Sequence, residues 1–167
     1  MKKLFALLAF SVLGTGVYAQ NATQSDLPAT PVKDLTGKNV PFNQTVEKGK
    51  VTLISFWATW CIPCKKEIKM VRDKMSEWKS QTDFNYMTVS VDDSRATAQV
   101  KSYAKSQGWE FPAYQDPNSD LKRSLNFQNV PFTIIVDKDG KIAHMQSGYE
   151  AGGEDALFAK VKELAAK

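Results

Sequence analysis

The stretch from Val51 to Cys64 reads VTLISFWATWCIPC and decides the fold of this chain. Its first part, residues 51–58, is apolar almost throughout, which is typical of a central strand buried on both faces of a sheet. Apolar residues then recur at helical spacing after the second cysteine, at Ile68, Val71, Met75 and Trp78. The stretch therefore predicts a buried strand that runs directly into a helix, with a Cys-x-x-Cys pair at the junction.

The junction predicts the chemistry of Cys61 and Cys64. In disulfide exchange the thiolate is the nucleophile, and the unpaired N–H groups and the dipole of a helix N-terminus favour the thiolate. Cys61 is therefore predicted to attack from the surface, and Cys64, one turn deeper, to resolve the mixed disulfide that forms. Pro63 suits the first helical turn, because its missing N–H would have no partner there. A purely structural disulfide is the alternative, but so small a loop constrains the unfolded chain little.

The elements on either side of this junction predict an α/β fold. Upstream, residues 34–38 form a turn between two short extended pieces, a predicted hairpin. Downstream, β-rich runs at 86–91 and 132–136 alternate with helical segments, and 141–146 returns as a hairpin partner. The last of these segments are a short helix at 118–126 and an amphipathic C-terminal helix. Such alternation predicts a layered sheet with helices on both faces.

The N-terminus is predicted to be a secretory signal. Lys2 and Lys3 precede an apolar run of 14 residues, Leu4–Val17, and small residues precede a cleavage point after Ala19. An uncleaved anchor is the alternative, although the run is shorter than the ~20 residues of a spanning helix. The predicted domains are therefore a signal peptide at 1–19, a flexible or loosely docked mature N-terminus at 20–30 and one folded domain at 31–167. We expect a periplasmic location in a Gram-negative bacterium, where disulfides form and persist.

Charge gives no reason to expect a nucleic-acid partner. The chain has 22 basic and 18 acidic residues, and loss of Lys2 and Lys3 with the signal leaves 20 against 18. A small excess spread along the chain is unlike a nucleic-acid footprint. The one histidine, His144, is expected on an exposed strand, and no metal site is predicted.

A second motif, Val130–Pro131, lies just before a predicted strand. A proline here often only opens an edge strand, but a cis peptide bond would leave the backbone of Val130 free to pair with an extended substrate. Trp60, Ile62 and Pro63 are predicted to complete the substrate-binding surface. Trp57 and Phe132 are further candidates for this apolar patch, although Trp57 is expected to lie mainly in the core.

These motifs carry a family resemblance. Residues 56–64, FWATWCIPC, resemble the active-site segment of the thioredoxin superfamily, and FWATWC is especially similar to that of the exported TlpA/ResA-like reductases. Asn129-Val130-Pro131 resembles their cis-proline loop, and the resemblance covers roughly Pro31 to Lys162. It implies a thioredoxin-like central mixed sheet flanked by helices on both faces, with an N-terminal hairpin and a central strand–helix insertion.

Three positions bear on how closely the resemblance holds. Ser55 stands where thioredoxin has a buried aspartate, so that proton-transfer route is absent. Glu67 matches an acidic residue of many TlpA/ResA-like proteins and shares a helix face with Cys64, so it is a candidate proton acceptor. The alternative is that Glu67 belongs to a solvated first turn. Phe132 stands where the family more often has threonine.

The resemblance implies an exported thiol–disulfide oxidoreductase without a cofactor, most simply a reductase of protein disulfides. Apocytochrome c is one family substrate, a membrane protein of DsbD or CcdA type is the implied electron donor, and a monomer is expected. No cation lies between Cys61 and Cys64 to stabilise a thiolate strongly, which favours a reductase or isomerase over an oxidase. A peroxiredoxin-type peroxidase is a different hypothesis, although Trp57 occupies the proline position of that motif. A metal- or haem-binding module without turnover is a third.

Overall fold

Residues 25–167, which the computed structural model describes, form one eight-stranded sheet with four α-helices packed against it. The predicted signal peptide at 1–19 and residues 20–24 lie outside the described residues. Among residues 25–167, none of the helices combines the length and the hydrophobicity that a membrane span requires.

The sheet is mixed, with short strands at both edges. The strands are Ser25–Asp26 (β1), Pro31–Asp34 (β2), Asn39–Pro41 (β3), Val51–Trp57 (β4), Phe84–Ser90 (β5), Ala113–Gln115 (β6), Phe132–Val136 (β7) and Lys141–Ser147 (β8). Their order in the sheet is β1-β8-β7-β4-β5-β6-β2-β3, in which β4 runs parallel to β5 and antiparallel to β7. The helices are Ile62–Gln81 (α1), Thr97–Ser106 (α2), Asp120–Ser124 (α3) and Gly153–Ala165 (α4).

Strand β4 occupies the middle of the sheet, and all seven of its residues are buried. Alternate side chains enter opposite layers, because successive residues of a strand point to opposite faces. Leu53 packs with the apolar residues of α1 and α4, whereas Ile54 and Phe56 pack in the layer that contains Leu121 of α3. The predicted α/β sheet with helices on both faces is confirmed, and β4 carries the chain from its core to the start of α1.

Two segments outside the centre of the sheet bear on the sequence predictions. Residues 25–30, expected to be flexible or loosely docked, lie against the domain: β1 pairs with β8, and Leu27 is buried. The helix predicted at 118–126 is shorter, at 120–124, because Ser119 and Asn126 adopt positive φ angles of 57° and 53° that interrupt a right-handed helix.

Candidate active site

The two cysteines form a disulfide at the N-terminus of α1. Cys61 is the N-cap residue, with its Cα 5.4 Å from that of Cys64, and the backbone N–H of Cys64 points at its sulfur at 3.3 Å. Pro63 lies within the first helical turn, as predicted. The disulfide and its place at a strand–helix junction are therefore confirmed, and the helix N-terminus directs an N–H donor at the sulfur where a thiolate would form.

Exposure of the pair differs from the prediction. The sequence predicts Cys61 at the surface, but Cys61 is only 3% exposed and Cys64 only 1%. Both cysteines belong to a cluster that includes Trp57 and Ile68, with Val130 packed against it. These apolar neighbours cover the disulfide, so a partner must approach closely to reach it.

The residues beside the cysteines give the site its outer surface. Trp60 is 69% and Ile62 is 67% exposed, and Pro63 is exposed as well. Trp57 and Phe132, the other candidates for an apolar patch, are both buried. Trp57 packs against Tyr103 and Trp109, and Phe132 stacks on Phe127, so neither contributes to the surface.

The second motif meets the first at this surface. The Val130–Pro131 peptide bond is cis, and Val130 is half-buried against the cysteine cluster. Pro131 is buried, and its carbonyl accepts a hydrogen bond of 2.8 Å from the N–H of Gly148. The structure thus brings Val130, rather than the proline ring, to the accessible rim of the disulfide.

Glu67 lies inside the protein rather than in a solvated first turn. It is 1% exposed, and its Oε1 accepts hydrogen bonds from the hydroxyls of Ser55 (2.9 Å) and Thr133 (2.7 Å). Burial raises the pKa of Glu67, while the hydrogen bonds from Thr133 and Ser55 oppose that rise. Glu67 is thus a buried carboxyl group with a raised pKa on the helix face of Cys64.

Sequence reasoning missed three residues that belong to this site: Thr133, Tyr86 and Asp92. Thr133 binds Glu67 directly, and the Tyr86 hydroxyl donates to Ser55 at 3.2 Å. Asp92 follows β5 and accepts hydrogen bonds from Thr59 in the loop before Cys61. A lone hydroxyl in the apolar run Phe132–Val136 was the available signal for Thr133, since buried hydroxyls need partners.

A cavity of about 710 Å³ lies beside α1 and β5, away from the disulfide. Its lining includes Arg72, Met75 and Tyr86 and neither cysteine. His144, predicted to be exposed, is half-buried on β8. Within residues 25–167, no group of three or more histidine, cysteine, aspartate or glutamate side chains is arranged to hold a metal ion.

The fold and the site together define a thioredoxin-like protein with a Cys-x-x-Cys disulfide. The sequence profile of the AhpC/TSA family matches residues 23–145, and the chain belongs to that family.

Relatives in sequence and in structure confirm the resemblance to ResA-like members of the thioredoxin superfamily. The chain is 30% identical over 124 residues to the thiol-disulfide oxidoreductase ResA of Bacillus subtilis, an alignment that covers 74% of this chain and 66% of that protein. The solution structure of a thioredoxin-like protein from Porphyromonas gingivalis is similar at a TM-score of 0.75 and 38% identity, covering 84% of this chain and 92% of that one. A putative thiol:disulfide interchange protein DsbE from Chlorobium tepidum shares the fold, with a TM-score of 0.71 and 21% identity over 85% of this chain and 96% of that one.

Proposed function

We propose that this protein is a thiol–disulfide oxidoreductase that reduces disulfides of protein partners outside the cytoplasm. The observation that carries the proposal is the disulfide between Cys61 and Cys64 at the N-terminus of α1, with the N–H of Cys64 directed at the Cys61 sulfur. A helix N-terminus stabilises a thiolate at that position, and a second cysteine one turn later provides the group that releases the partner.

The proposed reaction starts from the dithiol form. The Cys61 thiolate attacks one sulfur of the partner disulfide, a bond forms between the two sulfurs, and the other partner sulfur leaves as a thiolate that takes a proton from solvent. Cys64 then loses its proton to Glu67 and attacks the Cys61 sulfur. The Cys61–Cys64 disulfide forms, and the second partner sulfur leaves as a thiolate, so two electrons have passed to the partner.

Two features support the direction and the kind of substrate. Ile62 and Pro63, between the cysteines, carry no charge, so the thiolate lacks the cationic stabilisation that makes a strong oxidant. The exposed side chains of Trp60 and Ile62, together with Val130 at the rim of the cysteine cluster, offer apolar surface that suits an extended protein segment better than a small molecule. In this role Trp60, Ile62, Pro63 and Val130 contact the partner, and the buried Pro131 anchors the loop that carries Val130.

Export and electron supply are part of the same proposal. The basic and apolar character of residues 1–19 supports a cleaved signal peptide and a mature periplasmic chain that begins at Gln20. Each catalytic cycle leaves Cys61 and Cys64 oxidised, so a reductase needs a source of electrons, for which a membrane donor of DsbD or CcdA type is the expected partner. Apocytochrome c is one expected substrate, and the protein is expected to act as a monomer.

The reduction potential of the Cys61–Cys64 couple tests the direction. Equilibration of the mature protein with glutathione buffers should give a value near that of thioredoxin, about −270 mV. A value of about −180 mV would instead indicate an isomerase, and one of about −120 mV an oxidase. Reduction of insulin disulfides with dithiothreitol as electron source, lost in Cys61→Ser, tests the activity itself.

A peroxidase and a metal- or haem-binding module would each give a different measurement. A peroxidase would consume hydrogen peroxide with thiols as reductant at a rate that depends on Cys61. A metal- or haem-binding module would be purified with stoichiometric metal or haem and with its thiols blocked. Either result, with no reduction of insulin, would replace the reductase proposal.

A further inference from the structure

The carboxyl group of Glu67 is bonded unequally at its two oxygens. Oε1 accepts the hydroxyls of Thr133 and Ser55, at 2.7 and 2.9 Å. Oε2 is buried and, among residues 25–167, has no hydrogen-bond partner. A buried polar atom without a partner is energetically costly and calls for an explanation, and Oε2 belongs to the carboxyl group that is proposed to take the proton of Cys64.

Ser55 and Thr133 reach the same oxygen because of the sheet register. They lie directly opposite each other in the ladder between β4 and β7, so their side chains share the face of the sheet that α1 covers. Glu67 projects onto that face from α1, one turn after Cys64. Each hydroxyl has only one hydrogen to donate, and both donate it to Oε1.

Tyr86, on the neighbouring strand β5, fixes the direction of the Ser55 hydroxyl. Its hydroxyl donates to Ser55 Oγ at 3.2 Å, so the hydrogen of Ser55 is directed away from Tyr86 and towards Glu67. The Tyr86 ring is held edge-on against Phe111, with 4.7 Å between centroids. Burial raises the pKa of Tyr86, so it remains a neutral phenol that donates its hydrogen.

The other charged groups around Glu67 come from α1, α4 and the loop before α4. Glu154, at the start of α4, is buried and adds to the rise in the pKa of Glu67. Its carboxylate binds Lys74 of α1 at 3.1 Å and accepts the Tyr149 hydroxyl at 3.1 Å. Asp155 also binds Lys74, at 2.6 Å. These groups pair with one another, whereas Thr133 and Ser55 are the ones that hydrogen-bond Glu67.

We propose that Thr133, Ser55 and Tyr86 are positioning residues that occupy Oε1 of Glu67 and leave Oε2 as the oxygen that takes the proton of Cys64. This inference rests on the proposed acid–base role of Glu67. In the step concerned, the S–H bond of Cys64 breaks, an O–H bond forms at Oε2, and the electron pair left on the sulfur attacks the mixed disulfide. The two hydroxyl donors stabilise the carboxylate, so they also keep Glu67 able to act as a base.

The test follows the protonation of Glu67 in the disulfide form, where neither cysteine titrates. Carbon-13 NMR of carboxyl-labelled glutamate gives the midpoint, and the Glu67 signal is the one missing from Glu67→Gln. Thr133→Val removes one donor at constant shape, so the midpoint should rise by about one pH unit. Tyr86→Phe should raise it less, because Ser55 keeps its hydroxyl but loses the bond that directs it.

Two control variants separate this role from simple packing. Thr133→Ser keeps the hydroxyl and loses a methyl group, so its midpoint should stay close to that of the wild type. Tyr114→Phe removes a phenolic hydroxyl on β6 that makes no bond to this network and should leave the midpoint unchanged. An unchanged midpoint in Thr133→Val, or an equal shift in Thr133→Ser, overturns the proposal. If Thr133→Val does not fold, Tyr86→Phe decides alone, and an unchanged midpoint there overturns it too.

A second measurement shows which proposal fails if one does. The rate at which the reduced protein reduces insulin should show a pH midpoint that moves upward in Thr133→Val, as the NMR midpoint does. A shifted NMR midpoint with no reduction of insulin by the wild type would disprove the reductase function and leave the arrangement of Glu67 standing. If the wild type reduces insulin and Thr133→Val shows the same pH profile, the proposed role of Oε2 is disproved. The reductase function then stands.

Discussion

Asp92 accepts two hydrogen bonds from Thr59, one from its backbone N–H at 2.8 Å and one from its hydroxyl at 2.7 Å. A third comes from Ser90, at 2.7 Å. Asp92 is buried at the end of β5, and Thr59 lies two residues before Cys61. The bonds therefore tie the loop that leads into the helix to the neighbouring strand, and they fix where Trp60 and Cys61 stand.

Asp92→Asn should loosen this loop. The amide keeps one acceptor oxygen and places an NH2 group where a second acceptor was, so the unfolding free energy should fall by about 1–3 kcal/mol. Urea unfolding of the disulfide form measures this. Asp93→Asn is the matched control, since the adjacent Asp93 is exposed and pairs with the exposed Arg95; a loss as large there would show that the effect is not specific to Thr59.

Glu67→Gln should slow disulfide exchange while the protein still folds. The glutamine keeps the shape of the side chain and cannot accept the proton of Cys64, so the reduction of insulin should slow about tenfold or more. Stopped-flow measurements across neutral pH test this, with Glu77→Gln on the exposed side of α1 as the control. Equal rates in Glu67→Gln and wild type would make Glu67 a structural residue only.

Glu67 should also make the stability of the disulfide form depend on pH. Burial raises the pKa of Glu67 above its usual value of 4.5, so between the two values the folded state binds more protons than the unfolded state. Stability therefore falls as the pH rises through that window and levels off above it. The unfolding free energy of Glu67→Gln, measured from about pH 4 to about pH 8, should lack this decline. A decline of the same size in the variant would assign it to another group.

Trp60→Ser should impair reactions with proteins more than reactions with small disulfides. The exposed indole is expected to bury apolar area against a partner segment, so kcat/KM for insulin should fall about tenfold, while reduction of a small aromatic disulfide should change little. Met145→Ser is the control, because Met145 is also an exposed large apolar residue but lies on β8. Equal losses for both substrates would argue against a protein-binding surface.

Cys64→Ala should trap partners in the periplasm. Cys61 can still attack a partner disulfide, but without Cys64 only outside thiols resolve the product, so mixed disulfides should accumulate. Non-reducing gels of the cell envelope and mass spectrometry should find a limited set of exported proteins joined to a chain that begins at Gln20. A broad set of newly exported proteins would indicate an oxidase, and Cys61→Ser should trap none.

The central strand and the cysteine pair could be predicted from sequence because their signals are local. A continuous apolar run at 51–57 and a helical repeat after Cys64 each lie within one segment. The hydrogen-bond partners of Glu67 could not be predicted from sequence, because they depend on which residues face each other across the sheet. The register that sets Ser55 opposite Thr133 joins residues far apart in the chain.

The burial of the disulfide could not be predicted from sequence for the same reason. A helix N-terminus predicts an accessible first cysteine, but Cys61 and Cys64 lie in an apolar cluster whose neighbours include Val130, from the loop before β7. The burial of Trp57, within the apolar run, and the exposure of Trp60, beyond it, were both predicted.

The burial of both cysteines affects how fast the disulfide exchanges with other thiols. Exchange rates depend on access to the sulfur as well as on potential. The two residues of this disulfide are only 3% and 1% exposed, so it should exchange with small thiols more slowly than an open disulfide does. Partners that pack against the exposed side chains of Trp60 and Ile62 should then exchange with the disulfide faster than the surrounding small thiols do.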